Sequence, residues 1–337
     1  MVRHRVGSSR LNVLWPVGLL LIFGLVLALV VSTGAAPQGT VPSGALPRGT
    51  ASAGGVPQGV LPHQIADPTG AARDFTYQGT NALGIESYSV TSAYNGPGPQ
   101  TVRVLVPTHP AAGVAHNFLI VLPVEAGLGS TFGDALATLQ TLDAQDKYNL
   151  TIVEPTFAID PWYADNPDDP ELRYETFMTK VLVPWIKQSL ATTGQEQVWL
   201  IGFSKSGLGA QDLILKHPDI FTLAASWDSP FGAYAYNQFG NDSAANYGTD
   251  ANFQANYRLT PAFLYAHRAP FLTSDRIWIG GFALFEADDS NYDALLTSEG
   301  ILHSTETPQY MVHRWDSGWI PLALAALYQD SLGFRSS

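Results

Sequence analysis

Nucleophilic chemistry in this chain can be built from Ser204, from His313, and from one of several carboxylates between or near them. Ser204 stands in Gln197-Val-Trp-Leu-Ile-Gly-Phe-Ser-Lys-Ser-Gly-Leu-Gly-Ala210. The apolar run Val198 to Ile201 reads as a strand covered on both faces, and Leu208 to Lys216 reads as a helix. The residues between them form a tight turn that lifts a serine hydroxyl above the sheet, with small residues two positions to either side. Gly202 and Ser206 fill those positions around Ser204. Centring the turn on Ser206 would put the bulky Leu208 in a small-residue position, so the spacing selects Ser204. Without further partners the same stretch would serve as a Gly/Ser-rich turn gripping a phosphate.

A serine hydroxyl needs an imidazole in reach, and the imidazole needs a carboxylate to fix its tautomer. Of eight histidines, His4 and His63 precede the folded region, His109 and His116 precede the turn, and His217 lies on the helix behind it, which leaves His267, His303 and His313. His313, in Gln309-Tyr-Met-Val-His-Arg-Trp-Asp-Ser-Gly-Trp319, falls between the last strand and last helix and is the expected base. His303 is the second choice. For the acid, Ala287-Asp-Asp-Ser-Asn-Tyr-Asp293 follows a strand ending near Gly280, and Asp289 is the first candidate. Asp288, Glu286 and Asp228 are the alternatives, although the aspartates near 288 would equally suit a helix N-terminus. Asp228 ends the strand before, in Ser226-Trp-Asp-Ser-Pro230.

An oxyanion requires two backbone donors set in advance. The amide of Lys205 supplies one, and Val124 or Glu125, in Pro123-Val-Glu-Ala-Gly-Leu-Gly129, supplies the other. The Lys205 side chain is expected to pair with Glu125 or Asp228, or to reach solvent. Asp160-Pro-Trp-Tyr-Ala-Asp-Asn-Pro167 follows another strand, at the sheet edge where ligands bind in such folds. Trp162 and Tyr163 there could stack on substrate or pack against the domain.

These residues must be positioned by an alternating pattern. Ser87–Ser92 and Thr101–Val106 read as an antiparallel pair. Strands follow at Asn117–Leu122, Leu150–Val153, Val198–Ile201, Phe221–Ser226, Arg276–Ile279 and Ile301–Thr305. Helices are expected at Phe132–Ala144, at Glu171–Leu190 with a kink at Pro184, at 208–216, at Asn291–Glu299 and at Gly318–Tyr328. Residues 231–269 fit no period and read as a cap. The fold class is α/β, with a mostly parallel central sheet and helices on both faces.

The chain in front of this domain differs in kind. Residues 1–31 combine a basic start with 19 uncharged residues, Val13 to Val31, enough to span a bilayer as a transmembrane anchor or to act as a signal segment. A retained anchor is favoured over cleavage, and the basic flank places the remainder outside the cytoplasm. Residues 32–66 repeat proline and glycine at intervals of five, a disordered linker without core-forming residues. The folded domain is expected over 67–337.

Net charge is −12. Residues 1–66 hold four arginines and no acidic side chain, which leaves 13 basic against 29 acidic groups downstream, a net of −16. Such a surface repels phosphate backbones, so nucleic acid is not an expected partner. The chain has no cysteine, which excludes disulfides and thiolate sites. No phosphate-binding loop or metal-ligand spacing is present, and no metal or cofactor is expected.

The segment Gly202-Phe-Ser-Lys-Ser-Gly-Leu-Gly-Ala210, with His217-Pro-Asp-Ile-Phe221 and the His313-Arg-Trp315 segment, resembles the putative-esterase branch of the α/β-hydrolases. That branch includes S-formylglutathione hydrolase (esterase D), feruloyl and acetylxylan esterases, and mycolyltransferases. The resemblance runs from about Val102 to Leu324. It implies the α/β-hydrolase fold, Ser204 as nucleophile and His313 as base. Ser206 and Val312 replace glycines common in the family. The expected activity is an extracytoplasmic serine ester hydrolase forming an acyl-enzyme on Ser204, acting on a small-molecule or cell-envelope ester. The alternatives are acyl transfer to a sugar hydroxyl, or an inactive binding module of the same fold at the cell surface.

Overall fold

The computed structural model describes residues 63–66, 72–281, 283–306 and 311–333. Four strands open the sheet: β1 (His63–Ala66), β2 (Ala72–Thr80), β3 (Glu86–Val90) and β4 (Gln100–Leu105). They pair antiparallel in chain order, and β4 continues antiparallel onto residues Ile152 to Pro155 of a later strand. The last four residues of the stretch expected as linker, 63–66, therefore belong to the sheet. The expected anchor over 1–31 and the rest of the linker lie outside the described residues. Among the described residues no helix is long and apolar enough to cross a membrane.

Next come β5 (Asn117–Val121), α1 (Ala135–Thr141), α2 (Ala144–Lys147) and β6 (Leu150–Pro155). The helix after β6 runs through α3 (Tyr174–Thr176), a π-helical stretch (Phe177–Leu182) and α4 (Val183–Ser189). Pro184 has no N–H to donate one turn back. The wider turn, in which Val183 N–H reaches Met178 O, absorbs that loss where a kink was expected.

The centre of the molecule is β7 (Val198–Phe203) followed by α5 (Ser204–Lys216), then β8 (Leu223–Trp227). Three short helices form the cap: α6 (Asn241–Tyr247), α7 (Asp250–Asn256) and α8 (Pro261–His267). The chain ends with β9 (Ile277–Gly280), α9 (Glu286–Ser298), β10 (Ser304–Glu306) and α10 (Trp319–Gly333). Strand order is β1-β2-β3-β4-β6-β5-β7-β8-β9-β10, parallel from β6 to β10.

Alternation along β7 builds two cores. Val198 and Leu200 face a layer containing Phe177, Leu213, Phe263 and Leu296, drawn from the π-helical stretch, α5, α8 and α9. Trp199, Ile201 and Phe203 face the layer of α1 and α10, with Leu136, Leu139, Trp319 and Leu327. Each such side chain, fully buried, contributes about 1.5–3 kcal/mol. Two-sided burial explains why β7 reads as an unbroken apolar run. All described residues fall within one compact unit, Gln58–Ser337.

Candidate active site

Ser204 is the first residue of α5 and has φ 54°. A non-glycine residue in that region costs about 1–3 kcal/mol, so neighbouring contacts must hold it. Ser206 supplies two of them. Its buried hydroxyl accepts from Phe203 N–H at 3.1 Å and donates to Phe203 O at 2.8 Å. The residue that departs from the usual glycine thus caps the turn, and Ser204 rather than the fully buried Ser206 takes the half-buried apex. Gly202 is required on the other side, because a Cβ there would sit 2.4 Å from Ser206 O.

The Ser204 amide donates to Asp228 O at 3.1 Å. Asp228, immediately after β8, is fully buried and also has positive φ, 47°. One of its carboxylate oxygens, Oδ1, accepts from Phe285 N–H at 2.6 Å, and the other, Oδ2, bonds His313 Nδ1. With Nδ1 donating to the carboxylate, Nε2 is the nitrogen left to accept a proton.

His313 lies among aromatic rings. Its centroid is 4.8 Å from Phe203, 5.6 Å from Phe132 and 6.0 Å from Phe285. Edge-on packing by Phe203 and Phe132 restricts ring rotation. Phe203 in turn leans on Trp227 and Trp315.

The carboxylate that meets His313 is Asp228, not Asp289. Asp289 lies in the first turn of α9, buried, with Oδ1 accepting from Ser229 N–H at 3.1 Å. It braces the segment after Asp228. Asp288 packs against Gly232, and burial raises its carboxyl above the usual range despite a hydrogen bond from the Gly232 backbone. Glu286 points to solvent. The misreading has a simple cause: α9 begins at Glu286 rather than Asn291, so the expected acid loop is already helix. His303 is also placed elsewhere, between Asp293 at 2.9 Å and Ile301 O at 2.8 Å.

The segment after β5 is held at three points. Tyr163 Oη donates to Pro123 O at 2.7 Å, Ala126 N–H donates to Asp160 Oδ1 at 2.9 Å, and Gly127 N–H donates to Phe157 O at 2.9 Å. The amides of Val124 and Glu125 meet no protein acceptor among the described residues. The Lys205 amide lies in the first turn of α5, where N–H groups have no partner inside a helix. These are donors of the kind an oxyanion needs.

Neither Trp162 nor Tyr163 offers a free face for substrate. Tyr163 is fully buried with φ 54°, and its ring fills the space over Gly209, where a Cβ would come within 2.3 Å. Trp162 is 4% exposed and stacks on Phe239 of the cap at 5.0 Å. Lys205 pairs with neither Glu125 nor Asp228. Its Nζ meets Asp160 Oδ2 at 2.5 Å instead. The signal was present in Asp160-Pro-Trp-Tyr, a carboxylate at a strand's C-terminal edge. Among the described residues no cluster suits a metal ion.

Residues 155–275, which span the turn, Asp228 and the cap, match the model of the Putative esterase family. No curated protein matches the chain. Among solved structures, S-formylglutathione hydrolase from Staphylococcus aureus aligns with TM-score 0.53 and 14% identity, over 75% of this chain and 99% of that one. A ferulic acid esterase aligns with TM-score 0.52 and 15% identity, over 76% and 96%. The fluorophosphonate-binding serine hydrolase F of Staphylococcus aureus aligns with TM-score 0.51 and 16% identity, over 74% and 98%. At these identities the structures speak for the fold, and the family match speaks for the segment that carries the turn. The chain has the α/β fold of esterases and hydrolases, and it is similar to the carboxylic-ester hydrolases of the putative-esterase branch.

Proposed function

We propose that the protein is a serine ester hydrolase that works through an acyl-enzyme on Ser204. The observation that carries this reading is the hydrogen-bonded set of Ser204 N–H to Asp228 O and Asp228 carboxylate to His313 Nδ1. His313 Nε2 takes the Ser204 proton as the hydroxyl oxygen attacks the ester carbonyl. The oxyanion of the tetrahedral intermediate is met by the Lys205 amide and by the amide of Val124 or Glu125. Collapse expels the alcohol, which receives the proton from His313. Water, activated by the same nitrogen, then releases the acid and frees Ser204. Asp228 holds the tautomer and stabilises the imidazolium without itself being protonated. A sugar hydroxyl in place of water would give acyl transfer by the same steps.

The domain is proposed to act outside the cytoplasm, tethered through residues 1–31, because 19 uncharged residues suffice to span and the basic flank precedes them. Membrane fractionation with mass measurement of the recovered protein tests the tether. A mature N-terminus near Ala35 or Ala36 would make the protein a secreted one.

The activity is tested with a fluorophosphonate probe and short aryl esters. Labelling that maps to Ser204, lost in Ser204→Ala, is the expected result. A folded wild-type protein that is neither labelled nor hydrolytic would point instead to a binding module.

A further inference from the structure

Asp160 occupies a place that the reaction scheme does not use. Its Oδ2 meets Lys205 Nζ at 2.5 Å, and its Oδ1 accepts from Ala126 N–H at 2.9 Å. Lys205 is the residue after the nucleophile, and Ala126 is the residue after Glu125. One carboxylate thus joins the two segments that hold the oxyanion donors. The carboxylate is itself fixed. The Asp160 carbonyl accepts from Asn246 Nδ2 at 3.1 Å, and Asn246 Oδ1 accepts from Trp162 N–H at 3.1 Å. Lys205 Nζ also lies 5.9 Å from the Trp162 ring centroid, a favourable place for a cation.

We infer that Asp160 is a positioning residue that sets the distance between the Lys205 amide and the 124–125 amides through a bridge from Lys205 Nζ to Ala126 N–H. The inference rests on the proposed hydrolase reading. Its physical content is that a carboxylate bonded at both oxygens has little freedom, so the two donor segments move as one. The Lys205 and Asp160 side chains are 18% and 34% exposed, and a pair of that exposure adds only about 0–1 kcal/mol to global stability. Its effect should therefore fall on rate rather than on melting.

The test uses the full chain with Asp160→Asn, Lys205→Met, the double variant and Lys205→Arg. Asp160→Asn keeps the volume and one acceptor but loses the charge that holds Lys205. Its kcat for an aryl ester should fall by up to about 100-fold, the scale of a 1 Å misplacement, with KM and melting temperature nearly unchanged. Lys205→Met should lose a similar factor, and the double variant should lose no more than the worse single one. Lys205→Arg should restore most of the rate. Independently of activity, amide exchange in 124–129 should quicken in Asp160→Asn. Wild-type kcat in Asp160→Asn, additive losses in the double variant, or unchanged exchange in 124–129 would each overturn the inference. Absence of labelling in the wild type would strike the hydrolase reading instead, and the exchange result would still decide whether Asp160 holds the loop.

Discussion

The Ser204 amide and the Asp228 carbonyl are hydrogen-bonded at 3.1 Å, so the proposed nucleophile and acid sit side by side just past the ends of adjacent strands. Both residues have positive φ, 54° and 47°. The strain at each is shared through one bond, and the Phe285 amide on Asp228 Oδ1 holds the pair from the far side. The acid thus extends from the strand next to the nucleophile's own, and the loop after β9 contributes a donor in place of a carboxylate.

Exchanging Asp228 for Asn should lower kcat by about 10⁴-fold, because the amide cannot hold the imidazole in the same tautomer. Asp289→Asn should leave kcat within a small factor. It should lower stability by about 1–3 kcal/mol through the disturbed bond to Ser229 N–H. Steady-state kinetics with aryl esters and denaturant unfolding of both variants check this, and a larger rate loss in Asp289→Asn would refute the assignment.

Ser206→Ala should still be labelled at Ser204, since among the described residues the Ser206 hydroxyl bonds Phe203 N–H and O alone. The lost cap should cost about 1–3 kcal/mol. Peptide mapping of the probe adduct decides the register: an adduct on Ser206 in the wild type would move the nucleophile by two residues.

Acid should unfold the cap side of the molecule through Glu175. Burial pushes its carboxyl up, but bonds from His217 and Lys216 outweigh it and bring the value down to about 2. The folded value lies below the ordinary 4.5, so this group's contribution is complete above about 4.5 and is lost as pH falls through about 2. Lys216→Met should move the acid midpoint upward. Circular dichroism from pH 6 to pH 2 (roughly the window set by that shift) reads it, and an unchanged midpoint would count against the pairing.

Asp330 on α10 behaves in the opposite sense. Burial, and then the charge of Asp275, raise its carboxyl to about 7. A raised carboxyl makes the folded state bind more protons, so stability falls as pH climbs from near 3.8 to about 7 and stays lowered above that. Asp330→Asn should raise the melting temperature above pH 7, by roughly 2–4 °C per kcal/mol recovered, with the gain vanishing below pH 4, about the ordinary carboxylate value. A gain that persisted undiminished in acid would have another origin.

Much of this was legible because local pattern and tertiary environment agree. The unbroken apolar runs at Val198–Ile201 and Asn117–Leu122 can be buried only between two layers, and the small residues around Ser204 permit only one register. His313 could be placed because few histidines follow β8. The acid was harder, since Asp228 follows one strand end and Glu286, Asp288 and Asp289 follow the next, and which strand reaches the imidazole depends on packing across the sheet. The chain offered one hint: Asp228 directly follows a largely apolar strand, where an unpaired carboxylate would be costly. Tyr163 shows the limit most plainly. An aromatic at a sheet edge reads the same whether it faces a ligand or, as here, fills the gap over Gly209 and tethers Pro123.

The placement of Asp228 also bears on the order in which the catalytic set is assembled. Nucleophile and acid belong to one continuous β7–α5–β8 unit, whereas His313 lies 85 residues beyond its carboxylate partner. Phe285 N–H and α10 lie downstream of that unit, so the strained pair gains its full set of contacts only as the later elements dock. The base arrives with nearly the last of the described chain. A C-terminally clipped form that stops short of His313 would keep Ser204 but lack the proposed base, so its hydrolysis of aryl esters should be lost.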